Sequence, residues 1–559
     1  MLIFFLCLII GLTFPQSIKA ENINFSNNKY GIHLAQPEEE DIKKAAELVN
    51  SNGGDWGYIT LVIQENDRDL HKWQAVFDLL RKYHLIPIIR LATKPDGDKW
   101  RQPKKEDAEE WAGFLNSLNW VVKNRYVILF NEPNHSNEWG GKVDIESYIE
   151  VADVFSTTLK SKNTDFFIML AGFDASAPSS QPLYEDEYVY LQKIFAKISP
   201  QEFEKNFDGW SSHSYPNPAF SGSAWDSGRK SIRGYQWELN ILKELGVNKD
   251  LPVFITETGW SSQNLSYDQI ADYFQTAYEN VWLPDKRVVA VTPFVLNYQG
   301  EPFLQFSWKM YQSSDFYPQY QAIKDQGKTK GNPEISEKGN IKFDLPRELV
   351  EQSFYHFRLG LSNSGQGLWD KQAGYKLELK DYQGEYLASD ISQIEPFDED
   401  EIDLFIKTTV PGKKNTQISL TKNNQLVLKK DWQYEVLGLP SMDFTVELLP
   451  KMKSEGNDLE IQVFDNRENL VFRKNRLSLK EGKANVDRIQ NIILDQKYRV
   501  VLLKPYYLPR QSYIVFHKTG NAVKFKRMLP LDFNADGQFS LEDFPAIFKN
   551  YRLFKNLLP

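Results

Sequence analysis

Between residues 29 and 325 short apolar runs alternate with longer amphipathic stretches, and this alternation restricts the fold more than any other feature. The runs are KYGIHL from Lys29, WGYITLVI from Trp56, LIPIIRLA from Leu85, YVILFN from Tyr126, FFIMLAGF from Phe166, FDGWSSH from Phe207, LPVFITE from Leu251 and VVAVTPFVL from Val288. Their shortness and their β-branched and aromatic content predict strands. The intervening stretches have helical period. In DLHKWQAVFDLLRKYH, Trp73, Phe77 and Leu80 fall at i, i+4 and i+7, and Trp111, Leu115 and Leu118 repeat that spacing in DAEEWAGFLNSLNWVVK. Continuously apolar strands joined by helical crossovers imply a parallel sheet covered on both faces. Eight such units over residues 21–330 fit a closed (β/α)8 TIM barrel, with an open doubly wound sheet as the alternative.

The remainder is built differently. Twelve of the fourteen tryptophans precede residue 310. Beyond residue 345 come short alternating strands with polar turns: YKLELKD, IDLFIKTTV, TQISLTK, FTVELLP, LEIQVFD, KYRVVLLK and SYIVFHK. These predict antiparallel β-sandwiches over residues 345–437 and 438–528, preceded by a polar linker over residues 324–340.

Residues 1–14, MLIFFLCLIIGLTF, followed by small and polar residues to Ala20, predict a secretory signal peptide over residues 1–20 and a secreted or cell-surface protein. An uncleaved anchor is the alternative, because the run is short for a span. The single cysteine, Cys7, lies in this leader, so the mature chain offers no thiol nucleophile and no cysteine ligand for zinc. A net charge of −9 argues against nucleic-acid partners, which need a basic face. No later segment is apolar enough to predict a membrane span.

In a barrel of this kind the carboxyl ends of the strands face one mouth. Glu132 ends the fourth predicted strand, in NEPN, and Glu257 ends the seventh, in FITETGW, so two carboxylates meet across one pocket. A glycosidic bond breaks through an oxocarbenium-like state that needs one carboxylate below the sugar and one acid at the departing oxygen. Glu132 is the expected acid/base, its pKa raised by its neighbour, and Glu257 the nucleophile. Asn131 is expected on the sugar 2-hydroxyl. His213 and Tyr215, in HSYP, are candidates to orient Glu257, and His33 and Arg90 to contact sugar or hold the carboxylates ionised. Trp260 and Trp308 are candidate stacking platforms for a pyranose. No catalytic cofactor is expected.

This ordered set, NEPN, HSYP, ETGW and a later FSW, resembles the clan A retaining glycoside hydrolases, family 39 above all, over residues 29–325. ETGW is also similar to β-1,3-glucanases of family 17. The resemblance implies hydrolysis of a polysaccharide or oligosaccharide with net retention. The alternative is a carbohydrate-binding or surface scaffold protein that keeps the barrel without catalysis. NSGQGLW, IEPF and VPG resemble Ig-like modules of extracellular enzymes.

DFNADGQFSLED, residues 532–543, places Asp532, Asn534, Asp536, Gln538, Ser540 and Asp543 at the ligand positions of an EF-hand-like Ca²⁺ loop, Gln538 through its carbonyl. Phe539 is the expected apolar anchor. Asp in place of the final Glu resembles one half of a dockerin over residues 529–559, which implies a cohesin-like partner; a calcium-stabilised terminal cap is the reading preferred for a single loop.

Overall fold

In a computed structural model of the chain, residues 26–449 and 458–549 are described. The predicted signal peptide, residues 450–457 and the last ten residues lie outside them. The chain divides into two compact units between Ser336 and Glu337.

All eight predicted parallel strands are present in the first unit: β1 Gly31–His33, β2 Gly57–Gln64, β3 Leu85–Ala92, β4 Arg125–Leu129, β5 Phe166–Leu170, β6 Trp210–His213, β7 Val253–Glu257 and β8 Val288–Val291. Helices cross over between them: α1 Glu39–Val49, α2 Leu70–Lys82, α3 Ala108–Ser117, α4 Ile145–Lys162, α5 Glu187–Phe195, α6 Pro200–Asn206, α7 Gly234–Glu244 and α8 Tyr267–Ala277, with α9 Pro318–Asp325 after β8. Local signals set their starts. Asp69 accepts from the Lys72 N–H ahead of α2, and Ser199 with Glu202 forms a capping box around Pro200 at the start of α6.

The strands do not form one continuous ladder. They pair as β1–β2–β3–β4–β5 and β6–β7–β8, and single parallel bridges, Met169–Gly209 and Tyr30–Val291, span the two seams. The expected closed barrel is thus interrupted in its hydrogen bonding. At one seam the Asp208 carboxylate accepts the Ile168 N–H at 2.8 Å, doing what a ladder carbonyl would otherwise do.

The interior between the strands is layered. Tyr58, Tyr126, Phe167 and Phe254 pack edge-on or tilted at one end. Gly209 makes room for them, since a Cβ there would lie 2.7 Å from the Phe167 ring. Above them, hydroxyls pair as Thr60 with Thr292 at 2.8 Å and Ser211 with Thr256 at 2.7 Å. Charged side chains occupy the carboxyl end. The tryptophan excess has a packing cause: Trp73, Trp111, Trp120, Trp139, Trp210, Trp260, Trp282 and Trp308 are all fully buried.

The second unit holds two two-sheet sandwiches. In the first, β9 Gly339–Lys342, β10 Glu348–Val350, β11 Phe354–Asn363, β12 Tyr375–Lys380, β13 Glu385–Ala388, β14 Glu399–Lys407, β15 Gly412–Lys422 and β16 Gln425–Leu437 form sheets ordered β9–β11–β14–β13 and β10–β16–β15–β12. Its core runs from Leu359 and Leu404 on one sheet to Ile418 and Trp432 on the other. In the second, β17 Met442–Thr445, β18 Leu459–Phe464, β19 Leu470–Leu477, β20 Lys483–Val486, β21 Lys497–Lys504, β22 Tyr507–Val515 and β23 Asn521–Lys524 form sheets ordered β20–β17–β23 and β19–β18–β21–β22. The expectation of wholly antiparallel sheets is corrected at two places. β10 pairs with β16 and β17 with β23 in parallel, each joining an early strand to the last strand of its sandwich. Parallel pairing needs a long crossover, and only such distant strands have one.

Part of the expected linker is also ordered. The Gly331 N–H donates to the Asp55 carbonyl and Lys123 pairs with Glu334, so residues 331–334 are tied to the first unit.

Candidate active site

Glu132 reaches the pocket through a backbone turn. Pro133 disfavours the helical region for the residue before it, yet Glu132 sits at φ +30° rather than in extended conformation. Two hydrogen bonds hold this costly geometry: the Glu132 N–H donates to the Gly172 carbonyl at 3.2 Å, and the Glu132 carbonyl accepts from His135 at 2.8 Å.

Glu257 arrives by a different device. Side chains alternate along a strand, and Phe254 and Thr256 already point inward, so parity would turn Glu257 outward. A register shift between β6 and β7 pairs Ser212 with Ile255 but His213 with Glu257. This bulge brings Glu257 to the mouth beside His213.

The two carboxylates are held by separate partners. Arg90 Nη1, on β3, donates to Glu257 Oε1 and also to Asn131 Oδ1 at 2.6 Å. The Tyr215 hydroxyl donates to Glu257 Oε2 at 3.1 Å. His213 Nδ1 lies 2.8 Å from Glu132 Oε1 and 3.9 Å from Glu257 Oε2. Tyr215 therefore orients Glu257 as expected, whereas His213 makes its hydrogen bond to Glu132. Burial opposes ionisation of Glu257, but the charges of His213 and Arg90 outweigh it and hold its pKa at about 2. Burial likewise disfavours the cationic form of His213, and Glu257 and Glu132 reverse that, raising its pKa.

Donor atoms of Glu132, His213 and Glu257 lie within 4.8 Å of one another. A metal ion there would meet the Arg90 guanidinium already seated on Glu257, so the arrangement suits proton and glycosyl transfer better than metal binding. Glu132, Glu257 and Arg90 open on a cleft of about 370 Å³, within the usual range for small-molecule sites. Its apolar wall includes Trp100, Phe220, Phe294, Phe303 and Phe306.

Three other expected positions fall elsewhere. Trp260 and Trp308 pack on Phe274 in the core, and neither lines the cleft. Each packs against a helix, a role that a tryptophan after a strand does not reveal in sequence. His33 is buried with both ring nitrogens unpartnered among the described residues, and burial together with Arg90 lowers its pKa to about 3. It stays neutral behind Arg90. The sequence reading missed Glu138 and the pair His135–Asp174, 2.9 Å apart, all of which line the cleft. The only signal for His135 and Glu138 was their place in NEPNHSNEW, which begins at Asn131, and Asp174 had only its place after the strand Phe166–Leu170.

The loop at residues 532–543 closes on its own backbone. Asp543 accepts the N–H groups of Phe533 at 2.7 Å, Asn534 at 3.2 Å and Ser540 at 2.7 Å. Asp532 Oδ2 accepts from Gly537 at 3.1 Å, and Asp536 Oδ1 from Gln538 at 2.8 Å. Asp532 Oδ1 is buried and unpartnered, which suits a cation. The loop carboxylates are nonetheless not gathered around one point, and among the described residues only the Glu132 cluster is. Phe539, the expected anchor, is 51% exposed. The segment after the loop is the short helix Asp543–Lys549, so no helix–loop–helix pair forms among the described residues.

No protein-family model matches the sequence, and no curated protein does. Among solved structures the chain is similar to a family 39 glycoside hydrolase from Bacteroides cellulosilyticus, with 14% identity, 86% of this chain and 81% of that one covered, and a TM-score of 0.39. A monomeric β-xylosidase from Caulobacter crescentus is 13% identical over 74% of this chain and 94% of that one, with a TM-score of 0.40. A β-mannanase from Thermomonospora fusca is 12% identical over 51% and 84%, with a TM-score of 0.32. At such low identity and overlap, the roles of Glu132 and Glu257 rest on the pocket's own geometry.

Proposed function

We propose that this chain is a retaining glycoside hydrolase acting on a polysaccharide or oligosaccharide. The observation that carries the reading is the approach of Glu132 and Glu257 in one cleft, where one carboxylate oxygen of each lies within 4.8 Å of the other. Carboxyls about 5–5.5 Å apart suit attack by one of them, whereas about 6.5–9.5 Å is needed to place a water between them. Glu257, ionised by Arg90 and oriented by Tyr215, attacks the anomeric carbon. The bond to the leaving oxygen breaks and Glu132 protonates that oxygen. Glu132 then takes a proton from water, which attacks the glycosyl–Glu257 ester and frees Glu257. His213, hydrogen-bonded to Glu132, steadies that carboxyl through both proton transfers.

The test is hydrolysis of a panel of glucans, xylans, mannans and galactans by wild type and Glu257→Ala, with the anomer of the first product followed by NMR. Turnover with retained configuration, lost in the variant, supports the reading. No turnover on any polymer moves it to a binding protein, and an inverted product removes the mechanism.

The leader at residues 1–20 supports export, and the two sandwiches are read as accessory modules. Among the described residues no helix is long and apolar enough to cross a membrane. The loop at residues 532–543 is read as a calcium-stabilised cap rather than a cohesin-docking element. Calcium would have to draw Asp532, Asp536 and Asp543 together at the expense of the Asp543 cap. A melting temperature unchanged by calcium or chelator removes that cap, and Ca²⁺-dependent capture of a cohesin-like partner replaces it.

A further inference from the structure

Glu138 is a third carboxyl in the cleft, and the proposed double displacement has no use for it. Its position is firmly set. It ends the 3₁₀ turn Ser136–Glu138, and the next residue, Trp139, is fully buried against Phe130 and Tyr148. Beyond it the Gly140 N–H donates to the Trp100 carbonyl at 3.1 Å and the Gly141 N–H to the Ser136 carbonyl at 2.8 Å.

Glu138 shares the cleft with Asn131, which is hydrogen-bonded through Arg90 to the reacting centre. Arg90 Nη1 bridges Glu257 and Asn131 Oδ1, which fixes the amide with its oxygen toward Arg90. The amide nitrogen is thereby left as a donor, and Glu138 lines the same cleft as an acceptor. Among the described residues Glu138 makes no ion pair. A half-buried cleft carboxyl with no countercharge is an open acceptor for a ligand that brings a hydrogen-bond donor. Burial, followed by the charge of Glu132, raises its pKa to about 7, the kind of perturbation that marks a functional carboxyl in a cleft.

We propose that Glu138 is a specificity-determining residue that, with the Asn131 amide, binds a hydrogen-bond-donating substituent, hydroxyl or ammonium, on the sugar ring held against Glu257. This rests on the glycosidase reading above. A ring hydroxyl accepts from Asn131 Nδ2 and donates to Glu138; a ring ammonium donates to Glu138 and supplies the missing charge. A deoxy carbon satisfies neither group, and acylation of an amine removes its positive charge.

The experiment compares kcat/KM for wild type, Glu138→Gln and Glu138→Ala on aryl glycosides of one sugar, carrying hydroxyl, amino, deoxy or acetamido groups at each ring position in turn. At one ring position wild type is expected to prefer a donor to the deoxy analogue by about 10- to 100-fold. In Glu138→Ala that preference falls to within about threefold, because the donor substrate loses far more rate than the deoxy substrate. The hydroxyl and amino arms identify which donor is read. An equal loss on every substrate, or an unchanged preference in both variants, overturns the proposal. Glu138→Gln, which preserves shape, guards against misfolding of the alanine variant. Wild type inactive on the whole series counts against the glycosidase reading instead.

Discussion

His213 Nδ1 lies 2.8 Å from Glu132 Oε1 and only 3.9 Å from Glu257 Oε2, so one buried imidazole faces both carboxylates of the cleft. It can hold a positive charge between them and still shape the hydrogen bonding of Glu132. That division of partners leads to separable effects when each carboxylate is perturbed.

On the proposed mechanism, Glu132→Gln removes the proton donor and leaves the nucleophile in place. General acid catalysis contributes about 10²–10⁴-fold, and a loss of that size is expected on natural glycosides. Activated aryl glycosides, whose leaving groups need no proton, are expected to retain a fast first step. Pre-steady-state bursts measure this, and equal losses on both substrate classes count against Glu132 as acid.

Arg90→Leu withdraws a charge that keeps Glu257 at about 2. A carboxylate nucleophile is active when ionised, so raising its pKa shifts the acidic limb of the pH–kcat/KM profile to higher pH. Profiles recorded between about pH 3 and 8 test the direction. An unmoved acidic limb shows that Arg90 does not control ionisation of Glu257.

Gly172→Ala acts on neither carboxylate directly. The added Cβ would stand 2.1 Å from His213 Cδ2, so the ring or the strand must move. Overpacking of this kind costs about 1–3 kcal/mol, and activity is expected to fall further than stability because His213 shifts off Glu132. Chemical denaturation and kcat measured together distinguish this from a change confined to folding.

A fourth outcome concerns pH. Glu238 and Glu187 are fully buried, and burial raises both above the usual carboxylate range, although the Trp210 indole N–H donates to Glu238 Oε2 at 2.7 Å. Glu138 is raised to about 7. A raised carboxyl binds more protons folded than unfolded, so stability is full below the unfolded pKa, about 4.5, and declines as pH rises through the folded value. The melting temperature is expected to fall between about pH 5 and 8, and to fall less in Glu238→Gln. Parallel curves for the two proteins rule out this pair as the source.

Sequence periodicity carried much of the fold. A continuous apolar run has no polar face to show solvent, so LIPIIRLA and VVAVTPFVL had to be strands covered on both sides, and Trp73, Phe77 and Leu80 had to lie along one face of a helix. The ends of those runs also located Asn131, Glu132, His213, Tyr215 and Glu257, because apolar period stops where the chain meets the mouth. The same logic fails for Trp260 and Trp308. An aromatic residue after a strand satisfies the pattern whether it stacks on a ligand or on Phe274.

The sequence by itself determined that two glutamates stand at the ends of two parallel strands. Only the tertiary structure decided that both face one cleft. Strand parity would have sent Glu257 outward, and the bulge opposite His213 reversed it. The left-handed turn at Glu132 depends on the Gly172 carbonyl, which the loop after β5 supplies. Glu138 became legible only once Asn131 was seen with its oxygen committed to Arg90. Local pattern fixes which residues leave the core, whereas the direction a side chain takes is set by neighbours distant in sequence.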